Sequence, residues 1–387
     1  MKSVGLIVEY NPYHNGHKYH ATQAKKVTGA EVVVAVMSGN WLQRGEPAIV
    51  DKWQRTEMAL SSGVDLMIEL PFAYSVQSAD YFARGGVKLL QALDVDSLVF
   101  GTDRKEKLDY EEFGRLTVLQ EETINQKFHE LKNKNLSYPA RMTKVYRTLF
   151  PEWTLDFSSP NHILGMAYAK ENARYTHPME LKSIPRISAQ YHEKNVGGTI
   201  ASATAIREYL LHEEREVIHE VVPSATFDIL NKNPLVDWEN YWQFLNYQLL
   251  SSTPEKLATI YQMSEGFEYR LLEQVRQADN FQAFMEKIKT KRYTWTRIER
   301  LLTYVLIQVS PQDILESWEN TSIHVLGFTQ KGQQFLKEKK KKISLPVVSK
   351  IGRNEKSTGL TQRADEIYQL GAGGISEQNF GRIPIRK

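Results

Sequence analysis

The sequence predicts an α/β fold: a parallel sheet with helices on its faces, a helical insertion within the sheet domain, and a mainly α-helical C-terminal domain. Three observations lead there. Short apolar runs alternate with helix-like stretches through the first hundred residues. The pattern turns charged and helical from about residue 104 to 150 before the α/β alternation returns, and residues from about 225 to 310 read as helix throughout.

Taken in order, Val4 to Val8, Glu31 to Met37, Val64 to Leu70 and Ser97 to Phe100 read as strands. Several are apolar on both faces, as strands buried in a parallel sheet are. Gly16 to Lys26, Asp51 to Ser62 and Ala79 to Leu93 read as the helices between them. In such a βαβαβαβ unit ligands bind beyond the carboxyl ends of the strands, which directs attention to the loops starting at Glu9, Ser38, Pro71 and Gly101. After the insertion, Asn161 to Arg174 reads as a helix entered through Ser159-Pro160, Met179 to Ile184 as a strand, and Ser202 to His212 as a helix. A boundary near Pro223 divides the chain into domains at 1–222 and 223–387. The last 60 residues, with GAGG at Gly371 to Gly374, carry no clear pattern.

Composition narrows the class further. With 387 residues, 41% hydrophobic and 25% charged, the chain can bury cores without disulfides or a structural metal, and disorder, collagen and coiled coil are excluded. Cysteine is absent, which removes thiolate nucleophiles and zinc ribbons and fits a reducing compartment. The opening MKSVGLIVEYNPYHNGH has an apolar run that stops at Glu9, so it reads as a strand and not as a signal peptide. No stretch approaches the roughly 18 apolar residues that span a bilayer, so no membrane partner is expected and a cytoplasmic location is. The net charge of +3 is small, but basic residues gather in Lys289 to Arg300, in Lys337 to Lys342, and at Arg382, Arg386 and Lys387.

The loop after the first strand carries the chemistry. His14-Asn15-Gly16-His17 is an HxGH arrangement leading straight into a helix. A glycine there lets backbone approach a phosphate, the helix N-terminus offers unpaired N–H groups and a positive dipole end, and two imidazoles flank the α-phosphate. Attack at that phosphorus builds negative charge on its oxygens, which aimed donors stabilise without covalent chemistry. The alternatives are solvated turn histidines or an HxxH metal pair. No carboxylate or cysteine completes a metal set at helical spacing, so no protein-held metal site is expected.

A second element, Ser202-Ala203-Thr204-Ala205-Ile206-Arg207, opens a later helix and resembles the (S/T)xTxIR signature that accompanies HxGH in nucleotidyltransferase-like enzymes. Alone it would be an ordinary capped helix; beside HxGH, its hydroxyls and arginine suit β- and γ-phosphates. A third is the long polar loop Ser38-Gly39-Asn40-Trp41-Leu42-Gln43-Arg44-Gly45-Glu46-Pro47. Together with GVDLMIELP at Gly63 to Pro71, Gln77-Ser78-Ala79 and Phe100-Gly101-Thr102-Asp103, these motifs closely resemble the bacterial tRNA(Met) cytidine acetate ligases, a Rossmann-like HxGH nucleotidyltransferase family.

That resemblance implies ATP as substrate, magnesium, activation of acetate as acetyl-adenylate, and acetyl transfer to N4 of the wobble cytidine of elongator tRNA(Met), with room for a homodimer. It implies catalytic roles for His14 and His17. It maps an ATP site onto Ile7, Val8, Glu9, Tyr10, Asn11, Pro12, Tyr13, His14, Asn15, Gly16, His17, Lys18, Tyr19 and His20, with Gly101, Asn161 and Arg186, and a phosphate set onto Ser202, Thr204 and Arg207. Ala203 departs from the superfamily, which often has a second hydroxyl there. The residue chemistry agrees, since acetate becomes a competent acyl donor only once its oxygen leaves as AMP.

The segment from Lys289 to Arg300 mixes cations with aromatics, as contacts to unpaired RNA require, and nominates Lys289, Lys291, Arg292, Tyr293, Arg297 and Arg300 for tRNA binding. Thr296 and Glu299 there have capping-box spacing, and a merely solvated amphipathic helix is the competing reading. The lysine run at 337–342 is a weaker candidate for RNA, and Trp238, Tyr241, Trp242 and Tyr247 read as core. Two other functions compete: a small-molecule adenylyltransferase acting on a phosphorylated cofactor precursor, and a non-enzymatic RNA-binding protein with a vestigial nucleotide fold.

Overall fold

The first four strands form where the apolar runs predict them. In the computed structural model, which describes residues 1–103, 108–131, 138–151, 153, 159–185, 200–212, 214–290, 293–352 and 356–387, they are β1 (Ser3–Val8), β2 (Val32–Ser38), β3 (Leu66–Leu70) and β4 (Ser97–Thr102). β5 (Glu180–Pro185) pairs with β4, and the order β5-β4-β1-β2-β3 is parallel throughout. Alternate residues of β2 serve opposite cores: Val32, Val34 and Val36 pack on one face, Val33, Ala35 and Met37 on the other.

Helices Asn15–Thr28, Lys52–Leu60 and Ala79–Ala92 connect these strands. The chain runs β1-β2-β3 in one direction and then places β4 on the far side of β1. The strand order therefore switches between β1 and β4, which puts a ligand crevice at the carboxyl ends of these two strands. The expected insertion forms helices Tyr110–Leu119, Glu121–Glu130 and Tyr138–Leu149.

Residues after Pro223 are helical, from Ser224–Lys232 to Pro311–Glu319. The chain then returns to the sheet. β6 (Ile323–Phe328) lies antiparallel to β3, and β7 (Val347–Val348) and β8 (Ile385–Arg386) pair with β6. The stretch from 223 onward is thus shared between a helical layer and the far edge of the sheet, because β3 would otherwise expose an unpaired edge. The helical layer has its own core around Tyr241, Leu245, Phe284, Leu302 and Tyr304, and Trp41, Phe72 and Val76 from the sheet's loops are part of it. No helix among the described residues is long and apolar enough to cross a membrane.

Four buried groups tie the late strand to the early ones. Lys52 Nζ lies 2.8 Å from Glu69 Oε1 and 2.6 Å from Asp365 Oδ2, and His324 Nδ1 lies 2.5 Å from Glu69 Oε2. Asn40 joins them by donating to Asp365 at 2.7 Å and to Gln378 at 3.0 Å.

Candidate active site

The turn after β1 is a rigid loop, with Tyr10, Asn11, Pro12, Tyr13 and His14 all buried. Tyr10 holds φ 51°, a left-handed conformation uncommon for a large side chain and characteristic of functional turns. The Asn11–Pro12 bond is cis. Tyr13 donates to Ser62 O at 3.0 Å, and Asn11 Oδ1 accepts from Ile49 N at 2.8 Å. Arg55, fully buried, gathers the ends of two strands by donating to Glu9 O at 2.7 Å and Ser38 O at 3.1 Å, with a further bond to Gly39 O.

His14 is the N-cap of helix Asn15–Thr28. Its Nδ1 accepts from Gly16 N at 3.0 Å, and His17 Nδ1 accepts from His14 N at 3.3 Å. A ring nitrogen that accepts from a backbone N–H has no proton of its own, so in each neutral imidazole the proton sits on Nε2. The two rings stack at 3.7 Å and 28°. Two Nε2–H donors at a helix N-terminus are an arrangement suited to the oxygens of a phosphate. The glycine has a second reason to be there: a Cβ at Gly16 would come within 2.8 Å of His14 Cε1, so any larger residue displaces the first imidazole.

Other elements converge on this turn. Asn15 N donates to Val221 O at 3.0 Å, and Asn15 Nδ2 to Glu220 O at 2.9 Å. Ser202 caps helix Ala203–Leu211 by accepting from Ala205 N at 3.1 Å; Thr204 is exposed. Arg207 reaches from that helix to Asn11 O at 2.9 Å and to Glu46 Oε1 at 3.5 Å, linking the SxTxIR helix to both the β1 and β2 loops. At the end of β4, Gly101 precedes Asp103, whose carboxylate accepts from Ser159 Oγ and from Asn161 Nδ2, each at 2.7 Å. Asn161 is thereby held against Asp103, two residues beyond Gly101, at the carboxyl end of β4. Arg186 lies outside the described residues.

A match to the HIGH nucleotidyl transferase family spans residues 1–381. The tRNA(Met) cytidine acetate ligase of Bacillus subtilis strain 168 is 41% identical over 407 aligned residues, covering 100% of this chain and 97% of that one. Its counterpart in Streptococcus pneumoniae serotype 4 is 45% identical, covering 100% and 99%. Among solved structures, apo TmcAL of Thermotoga maritima superposes with a TM-score of 0.92 at 30% identity, covering 100% and 99%. The same protein bound with alpha-thio ATP gives 0.88. The chain belongs to the tRNA(Met) cytidine acetate ligase family.

Within this ligase-family chain the residues nominated for RNA separate into distinct groups. Lys289 is exposed, but its Nζ donates to Thr290 O and Tyr293 O, 2.5 and 2.7 Å away, and so closes its own turn. Tyr293 is buried, edge-on to Phe267 and beneath the Arg297 guanidinium, so its ring belongs to the helical core and not to a stacking surface. Arg300 faces inward against the β2 loop, where Gly45, at φ 90°, leaves no room for a Cβ beside the Arg300 backbone. Arg297 is exposed. Lys291 and Arg292 lie outside the described residues.

Two sequence readings change. Helix Trp295–Ile307 is capped by Thr294, which accepts from Arg297 N at 3.3 Å, and so Thr296 and Glu299 form no capping box. Tyr247 is 73% exposed, while Trp238, Tyr241 and Trp242 are core as expected. Lys339 and Lys342 pair with Asp94 at 2.6 and 3.0 Å, near the amino end of β4, on the opposite side of the sheet from the histidines. Arg55, Asp103 and Glu299 were not among the sequence candidates. Asp103 stands in the FGTD motif and was within reach; nothing in the sequence marks an arginine in a plain amphipathic helix.

Proposed function

We propose that this protein joins acetate to a cytidine of tRNA(Met) at the expense of ATP, through an acetyl-adenylate. The observation that carries the reading is the stacked His14–His17 pair, both Nε2–H groups set as donors, in a chain that aligns along its whole length with curated ligases of that name. In the first step an acetate oxygen attacks the α-phosphorus, the bond to the bridging oxygen breaks, and pyrophosphate leaves with the electron pair. Carboxylate is nucleophile enough at phosphorus, so positioning and charge neutralisation do the catalysis. The two imidazoles serve the α-phosphate oxygens, while Ser202 and Arg207 serve the departing pyrophosphate. In the second step N4 of the wobble cytidine of elongator tRNA(Met) attacks the acetyl carbonyl and AMP leaves.

Among the described residues no group of three or more His, Asp or Glu side chains is arranged to hold a metal. Magnesium in this reading arrives on the triphosphate, which suits an ion that retains most of its waters. A cytoplasmic location and a homodimer complete the proposal.

Incubation with ATP, magnesium and labelled acetate, with and without bulk bacterial tRNA, tests it. Label entering RNA as acetylated cytidine is expected. Pyrophosphate release without labelled RNA would move the acceptor elsewhere, and silence in both would leave the small-molecule adenylyltransferase.

For RNA docking, joint replacement of Lys291, Arg292 and Arg297 by glutamine should weaken tRNA binding and lower its salt dependence by about one unit of log–log slope for each phosphate no longer neutralised. Acetate-dependent pyrophosphate exchange should remain intact. An unchanged slope in a filter-binding titration would remove this segment from the RNA surface.

A further inference from the structure

The structure contains a cavity beside the nucleotide site, sharing Arg207 with it. It has a volume of about 240 Å³ and lies between the β2 loop, helix Ala203–Leu211 and the helical layer. Glu46, Arg207, Trp238, Phe281, Trp295 and Glu299 line it. Trp238 and Phe281, stacked on each other at 4.5 Å and 5°, contribute an aromatic side to it. Arg207 connects it to the catalytic turn through Asn11 O, 2.9 Å away. The cavity is therefore built from both halves of the molecule, has an aromatic side, and is joined to the turn where an activated acetate would form by Arg207, which pairs with its Glu46 carboxylate at 3.5 Å.

We infer that this cavity receives the acceptor cytosine, turned out of its RNA strand, and that the Glu299 carboxylate accepts the proton its exocyclic amine loses. The inference rests on the acetyl-transfer reading above. It supplies what that reading lacks, a base for the second step.

The chemistry balances. The N4 lone pair attacks the acetyl carbonyl carbon, the bond from that carbon to the adenylate oxygen breaks, AMP takes the electron pair, and the N4 proton passes to Glu299. Cytosine's amine is a weak nucleophile because its lone pair is delocalised into the ring, so removing its proton as the bond forms is worth more here than for an alkylamine. Enzymes that modify a base must take it out of the stack, and aromatic walls compensate for the stacking it gives up. The same carboxylate explains discrimination. Cytosine turns an N–H donor toward it, whereas uracil would turn a carbonyl oxygen and leave two acceptors opposed.

The surroundings tune Glu299 for this work. Burial, reinforced by the Glu46 carboxylate, pushes its carboxyl up to about 7, while the Trp295 indole N–H, Arg44 and Arg300 act in the opposite direction. Arg207 from helix Ala203–Leu211, and Asp237 and Glu239 from the start of helix Trp238–Leu250, complete the charged groups around the cavity. Glu239 is committed to Phe281 N and Gln282 N, 3.0 and 3.1 Å away, and Asp237 to Glu239 N at 2.9 Å, so both serve as helix caps. Glu299 must be ionised to take a proton, so transfer should rise with pH through about 7 and level off above it.

The experiment is single-turnover transfer from preformed acetyl-adenylate to an anticodon stem-loop of tRNA(Met), from pH 6 to 9, with wild type, Glu299→Gln and Trp295→Ala. Glu299→Gln should slow transfer about a hundredfold and abolish the rise with pH, with acetate-dependent pyrophosphate exchange within about threefold of wild type. Trp295→Ala should raise the half-saturating stem-loop concentration more than it lowers the maximal rate. Wild-type transfer by Glu299→Gln across the pH range would overturn the role of Glu299. A Trp295→Ala variant with unchanged saturation would overturn the cavity as the base site. Wild-type protein that forms acetyl-adenylate but labels no RNA would overturn the underlying reading itself, which is a distinct result.

Discussion

Replacing His17 with alanine is expected to reduce acetyl-adenylate formation by a hundredfold or more, since removal of one preorganised donor from a developing oxyanion costs about 10²–10³ in rate. Only the folded turn sets its imidazole, because Nδ1 accepts from the His14 backbone and Nε2 is left with the proton. His14 needs a subtler test. Its Nδ1 caps the helix, so alanine there would remove a cap worth roughly 1 kcal/mol along with the catalytic donor. Asparagine keeps the cap, being among the preferred N-cap residues, but has no group at the position of Nε2. His14→Asn should therefore fold and melt like wild type and still lose adenylation. Pyrophosphate exchange near the wild-type rate in both His17→Ala and His14→Asn would sink the assignment of the pair.

Lys52→Met should be the most damaging change outside the catalytic turn, at about 3–5 kcal/mol of stability, the range for removing one partner from a buried ion pair. The ammonium is fully buried between Glu69 and Asp365. Burial already pushes Asp365 above the usual carboxylate range, while Lys52 and His324 hold Glu69 below it. Loss of Lys52 leaves two carboxylates facing each other, so Glu69 loses its main counter-charge and at least one of them must take up a proton on folding. The measurement is the urea midpoint, followed by both far-ultraviolet dichroism and tryptophan emission. An unshifted midpoint would mean that the network contributes no net stability. The double variant Lys52→Met, Asp365→Leu should recover part of the loss, because it removes the opposed charge as well.

Local chemistry made the first half of the fold legible. Strands such as Val32–Ser38 are apolar on both faces, as strands inside a parallel sheet are, and the helix starts read at Gly16, after Ser159 and at Ser202 fall within one residue of where they occur. The histidine turn proposed as catalytic was legible for the same reason, since its parts are consecutive. What escaped was set by distant partners. Ile323–Phe328 is an apolar run that could be helix or strand, and only the bare edge of β3 makes it an antiparallel strand. Glu299 looked like half of a capping box because the spacing fits, yet Thr294 takes the cap and leaves the carboxylate to the cavity. Tyr247 reads as core with Tyr241 and Trp242, but it falls six and five residues after them, a spacing that turns it to the outer face of helix Trp238–Leu250.

The antiparallel strand has a consequence for how the chain is made. Glu69 and His324 are hydrogen-bonded partners 255 residues apart. On a ribosome adding roughly 5–20 residues per second, β3 must wait on the order of ten to fifty seconds between its own emergence and that of the strand that covers it. Throughout that interval a nascent sheet presents an apolar open edge, with the Glu69 carboxylate already in place and its histidine not yet polymerised. Translation speed, and whatever holdase attends the exit tunnel, therefore bears on the yield of this protein more than the stability of the finished fold would suggest.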